Sequence, residues 1–152
     1  MNITTVASFN IIGLAIRTTN ENGQSAKDIP QLWNTFLSEN IIAQIPDKID
    51  TAIYCIYTGY EKDHTKPYTT ILGCKTTSLN NLPQGLTGKS FSGGNYTLYT
   101  AQGKITDGIV FQEWIRIWNS NIPRAYTADF EVYGEKTQDP ENAGVDIFIA
   151  VK

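Results

Sequence analysis

The sequence predicts an α+β fold in which two strand-helix-strand-strand units join into one curved antiparallel sheet, with two helices packed on one face. Three observations carry that expectation. Segments rich in Thr, Ile and Tyr alternate with two stretches of helical periodicity. The order strand, helix, strand, strand over about residues 1–80 returns over about residues 84–152. Short residue matches recur in that same order: Ser8-Phe9 as Ser90-Phe91, Trp33 as Trp114, Thr51 to Tyr57 as Thr127 to Tyr133, and Ile71 at Ile147. Their offsets drift only by loop lengths, which favours a duplicated unit.

Taken in order, residues 3–19 mix β-branched residues with an apolar run interrupted at Gly13, a long strand with a bulge expected there. Ile29, Leu32, Trp33, Phe36 and Leu37 fall at i, i+3, i+4, i+7 and i+8, one face of a helix whose first turn suits Asp28 and Pro30. Residues 51–60 and 68–79 form a hairpin around the polar stretch Glu61 to Pro67. The second unit places a strand at about 86–103, a helix at about 107–120 with Phe111, Trp114, Ile115 and Trp118 on one face, and strands near 125–134 and 143–151. Ser92-Gly93-Gly94-Asn95 is glycine-rich, but no helix opens directly after it, so it reads as a turn or bulge rather than a phosphate cradle.

Composition bounds the function. The 152 residues carry 12 basic and 15 acidic side chains, a net charge of −3, with no basic cluster. Nucleic acid is therefore an unexpected direct partner. The start of the chain lacks a basic leader, and no apolar run is long enough to span a bilayer, so no membrane partner and a cytoplasmic location are expected. A single domain over residues 1–152 suits this length. Cys55 and Cys74 read as buried free thiols in a reducing compartment, without a redox role. His64 has no second histidine and reads as a solvated loop residue, so no metal or cofactor is expected. The acidic residues from Asp129 to Asp146 lack calcium-loop spacing and read mostly as solvated surface.

Strand alternation sends Phe130 and Val132 to one side of the sheet and Asp129, Glu131 and Tyr133 to the other; in the first unit Tyr54 and Ile56 oppose Ile53, Cys55 and Tyr57. The apolar set is expected to face the helices. Glu131 would then point into the concavity opposite, near a pseudo-twofold axis, with its repeat partner Cys55 across from it.

Seven segments in order, Ile12 to Thr18, Ile29 to Phe36, Tyr68 to Cys74, Gly94-Asn95-Tyr96, Glu113 to Trp118, Asp129-Phe130-Glu131-Val132-Tyr133 and Val145 to Val151, resemble the GyrI-like small-molecule-binding family. These are the effector domains of AraC-type and MerR-type regulators, and the likeness is greatest to the free-standing integron-cassette effector-binding proteins. The resemblance implies the duplicated fold and a central pocket in which a glutamate meets lipophilic cations, a role that falls on Glu131. Tyr57, Tyr68, Tyr96, Trp114 and Tyr133 are the candidate walls, whereas Trp33, Phe36, Phe111 and Trp118 read as helix-stripe core. Residues 1–152 are expected to be used up by that fold, leaving no helix-turn-helix. The leading expectation is a stand-alone binder for sensing or sequestration, with a separate regulator protein as its further partner. Two alternatives remain: a hydrolase of reactive genotoxins, with Glu131 as general base and Tyr57 or Tyr68 as hydrogen-bond donor, and a protein-binding inhibitor.

Overall fold

The computed structural model describes residues 2–152. Eight strands form one antiparallel sheet: β1 (Ile3–Val6), β2 (Phe9–Thr18), β3 (Ile53–Thr58), β4 (Tyr68–Thr76), β5 (Thr87–Phe91), β6 (Gly94–Gly103), β7 (Ala128–Tyr133) and β8 (Ala143–Ala150). Three α-helices accompany them among the described residues, α1 (Ser25–Ser38), the short α2 (Ile41–Gln44) and α3 (Ile109–Trp118). The strand order is β1-β6-β8-β7-β3-β4-β2-β5, and every pairing is antiparallel. Among the described residues no helix is long and apolar enough to cross a membrane.

The predicted first strand of each unit is two strands, and each short leading strand has crossed to the other unit. Thus β1 pairs with β6, and β5 pairs with β2. The break falls at Ala7-Ser8 and Ser92-Gly93 rather than at Gly13. At the second crossing Gly93 has φ +75°, and a Cβ there would lie 2.2 Å from the Val6 carbonyl oxygen. Gly13 serves close approach instead of a bulge. It stands in register with Gly73, and a Cβ on it would lie 1.9 Å from the Leu72 carbonyl oxygen.

The central pair β3–β7 puts Cys55 directly opposite Glu131, so the pseudo-twofold axis passes through that pair, as the repeat offset requires. The sheet curls strongly. Phe9 on β2 meets Phe130 on β7 edge-on at 5.5 Å between ring centroids, although two strands separate them in the sheet. The curled inner face is an aromatic core of Phe9, Phe91, Phe130, Tyr54 and Tyr96 with Ile11, Ile56 and Ile71.

Here one expectation is reversed. Phe130 and its neighbours point away from α1 and α3, because the sheet fills that face with its own rings. The helices cover the other face: Leu32 and Phe36 of α1 pack on Ile12, Cys55 and Leu72, while Trp114 and Ile117 of α3 pack on Ile147 and Ile149. Glu131 lies under the helices, not opposite them. The helical stripes also shift. Leu37, Phe111 and Ile115 are exposed, and α3 buries the expected Trp114 together with Ile117. α1 begins at Ser25, before the predicted first turn, so Pro30 lies inside it. Cys55 and Cys74 are buried and unpaired.

Candidate functional site

α1 and α3 lie on the same face of the sheet, one over each unit, and between them a cavity of about 330 Å³ reaches down to the β3–β7 pair. Its floor is Glu131 with Tyr57, Tyr133 and Tyr68. One wall is α1, through Ile29, Pro30 and Trp33; the other is α3, through Val110, Phe111, Trp114 and Trp118. The β3–β4 loop closes one end with Tyr60 and His64.

The walls repeat about the axis. Trp33 stands edge-on to Tyr133 at 4.8 Å, and its repeat counterpart Trp114 stands edge-on to Tyr57 at 5.4 Å. These four rings box in the carboxylate. Helix packing holds the tryptophans, and strand alternation aims both tyrosines to the same side as Glu131. Tyr57 also meets Tyr68 edge-on at 5.9 Å.

Glu131 is 2% exposed and accepts three hydrogen bonds. The Tyr57 hydroxyl donates to Oε2 at 2.8 Å, the Trp114 indole N–H donates to the same oxygen at 2.7 Å, and the Tyr133 hydroxyl donates to Oε1. Burial pushes the carboxyl above its ordinary range, and the three donors, with the adjacent Cys55 thiol, pull the other way without cancelling it. Burial, reinforced by the nearby Cys55 and Glu131, pushes Tyr57 well up, and burial beside Glu131 does the same to Tyr133. Both hydroxyls therefore stay protonated and remain donors.

Asp129, two residues back on the same strand face, has a different environment. It pairs with buried Arg124 at 2.7 Å and accepts from the Tyr60 hydroxyl and the Ala150 N–H. Its charge is neutralised inside the protein, against the expectation of a solvated acid. The donors to Glu131, by contrast, are all neutral.

Of the predicted wall residues, Tyr57, Tyr68, Trp114 and Tyr133 meet around Glu131. Tyr96 does not. It is on the inner face, edge-on to Phe130 at 5.4 Å. Trp33, Phe111 and Trp118, read from sequence as core, line the cavity, while Phe36 is core as expected. Repeat symmetry could have identified Trp33, since it matches Trp114. His64 is half-buried instead of solvated: its ring lies parallel to Trp118 at 5.7 Å, and Nδ1 is 3.3 Å from the Tyr126 hydroxyl. Burial and the nearby Arg124 hold its pKa below the usual value. No sequence spacing marks it. A polar cluster completes the rim, with Tyr68 and Ser25 hydroxyls both donating to Asn20 Oδ1, at 2.6 and 2.8 Å.

Comparison with known proteins agrees with this fold. An integron cassette protein of Vibrio cholerae is 32% identical, with a TM-score of 0.76 over 99% of this chain and 95% of that one. SAV2435, solved bound to tetraphenylphosphonium, is 17% identical with a TM-score of 0.79 over 99% of this chain and 93% of that one, a likeness of fold. YobU, a candidate transcriptional regulator protein of Bacillus subtilis (strain 168), is 27% identical over 144 residues, covering 92% of this chain and 90% of its own. The profile of the integron-associated effector binding proteins matches residues 2–151, and the chain belongs to that family.

Proposed function

We propose that this protein binds lipophilic organic cations between α1 and α3, with ionised Glu131 as their counter-charge, in sensing or sequestering such compounds. The observation that carries the reading is a buried carboxylate inside an aromatic box whose hydrogen-bond donors are all neutral. Such a group is costly to ionise while the cavity is empty, and a desolvated cation beside it reverses that cost. Each well-placed ring adds on the order of 0.5–2 kcal/mol of cation–π attraction and tolerates varied ligand shapes. The fold shared with SAV2435, which was solved with tetraphenylphosphonium, supports the same ligand class. Both oxygens of Glu131 are already acceptors, which suits a fixed charge better than a general base that must take a proton from water.

The test is a thermal-shift screen of the native protein against tetraphenylphosphonium, other aromatic cations and neutral compounds of matched shape, with each ligand checked by mass spectrometry afterward. Stabilisation by the cations, with the ligands intact, is the expected result. Stabilisation by neutral compounds to the same extent overturns the counter-charge role, and a consumed ligand makes the protein an enzyme.

A further inference from the structure

Resting on that reading of the cavity, we infer that Tyr57, Tyr133 and Trp114 are specificity determinants that turn Glu131 from a hydrogen-bond acceptor into a bare charge, so that the site selects cations without N–H groups over primary ammonium ions of the same framework. The argument is a count of acceptors. A carboxylate offers about four lone-pair positions, and three are taken here: Tyr57 and Trp114 on Oε2, Tyr133 on Oε1. The residue is 2% exposed, so the fourth position is not open to a large ligand.

A primary ammonium entering the cavity gives up water from three N–H donors and must replace it. The replacements on offer are the hydroxyl oxygens of Tyr57, Tyr133 and Tyr68 and the amide oxygen of Asn20. They are neutral, and a bond to a neutral acceptor is roughly half as strong as one to a carboxylate. A quaternary ammonium, a phosphonium or a delocalised dye cation carries no such donors. It loses only weakly held water and takes the full Coulomb and cation–π attraction. The box therefore rejects N–H cations by leaving their donors unpaired, an arrangement that discriminates more strongly than shape alone.

The tyrosines are separable in this role. Replacing Tyr133 with Phe keeps the ring that packs on Trp33 and uncovers Oε1, whereas replacing Tyr57 uncovers only part of Oε2, which Trp114 still covers. The probes are pyrenylmethylammonium and its trimethylated form, titrated at constant ionic strength near pH 8 by the quenching of pyrene fluorescence. Trimethylation adds apolar area of its own, so the informative quantity is the change in affinity ratio between native and variant protein.

Tyr133→Phe should move that ratio toward the primary ammonium by about tenfold, the value of one charged hydrogen bond gained. Tyr57→Phe should move it the same way by less. A ratio unchanged in both variants overturns the inference while leaving the cavity's ligand class intact. If neither probe nor tetraphenylphosphonium binds the native protein, the reading of the cavity fails, and this inference with it.

Discussion

The two halves of the chain bring nearly the same parts to the cavity. Each contributes a helix tryptophan, edge-on to a tyrosine from the other half's central strand. On the axis the halves differ. The first places Cys55, uncharged and buried, where the second places Glu131. Only the second half's tryptophan donates to the carboxylate. The first half has its own specialisation, since its β3–β4 loop carries Tyr60 and His64 over the cavity, whereas the corresponding β7–β8 loop folds back on β8 through Thr137 and Gly144. A duplicated unit thus yields one cavity with a single carboxyl group at its centre. The physical reason is electrostatic: two carboxylates at a buried axis could not both ionise.

Making the axis symmetric breaks that arrangement most severely. Cys55→Glu puts a second acid opposite Glu131, and the native state should lose about 3–5 kcal/mol at neutral pH, the cost of an uncompensated buried charge. Urea denaturation measures it. The loss should shrink on acidification as one of the pair takes a proton. If the variant is as stable as the native protein, water reaches the axis and the buried-charge account fails.

The tryptophans give the next largest contrast. Trp114→Phe removes a donor from the carboxylate and should cost about 1.5–3 kcal/mol near neutral pH, whereas Trp33→Phe loses only edge packing on Tyr133 and should cost about 1 kcal/mol. Equal losses in denaturation would show that the Trp114 hydrogen bond adds nothing.

The titrating groups of the two halves should act in opposite directions. Glu131 has a folded pKa above its ordinary 4.5, so the native state takes a proton before the unfolded chain does. Its contribution penalises folding above the folded pKa, and stability returns as pH falls through that value toward 4.5. His64 has a folded pKa below 6.5, so its contribution is present above 6.5 and is lost as pH falls through the folded value. Stability against pH for native, Glu131→Gln and His64→Asn proteins should separate the two slopes. Cation affinity should fall on acidification through the Glu131 value, and Glu131→Gln should abolish that dependence.

The smallest effect is at the surface. Lys66 of the first loop meets Glu21 at 3.2 Å with both side chains about half exposed. Lys66→Ala should change stability by about 0.5 kcal/mol or less, and less still in high salt.

How much of this was legible in the sequence follows from where its signals are strong. The repeat offset and strand alternation together place Cys55 opposite Glu131 and both tyrosines on its side, because register and side-chain parity are properties of the chain itself. The covered face was not legible. Phe130 and Val132 look like residues that helices should bury, yet the curled sheet buries them against Phe9, Tyr96 and Phe148 from distant strands. The helical stripe misled for a related reason. Phe111 and Ile115 fit the spacing of a buried face, but α3 also has to wall a cavity, which leaves Phe111 62% exposed. His64 and Arg124 are set by loop geometry, for which local spacing carries no signal.

The central claim is that the ionised carboxylate of Glu131 holds a lipophilic cation. The most direct measurement is the calorimetric affinity of native and Glu131→Gln proteins for tetraphenylphosphonium, at a pH well above the Glu131 value. Glutamine keeps the shape and removes the charge, so affinity should fall about tenfold or more, equivalent to at least about 1.4 kcal/mol. Equal affinity in the two proteins would contradict the claim and leave the aromatic box, without its charge, as the source of binding.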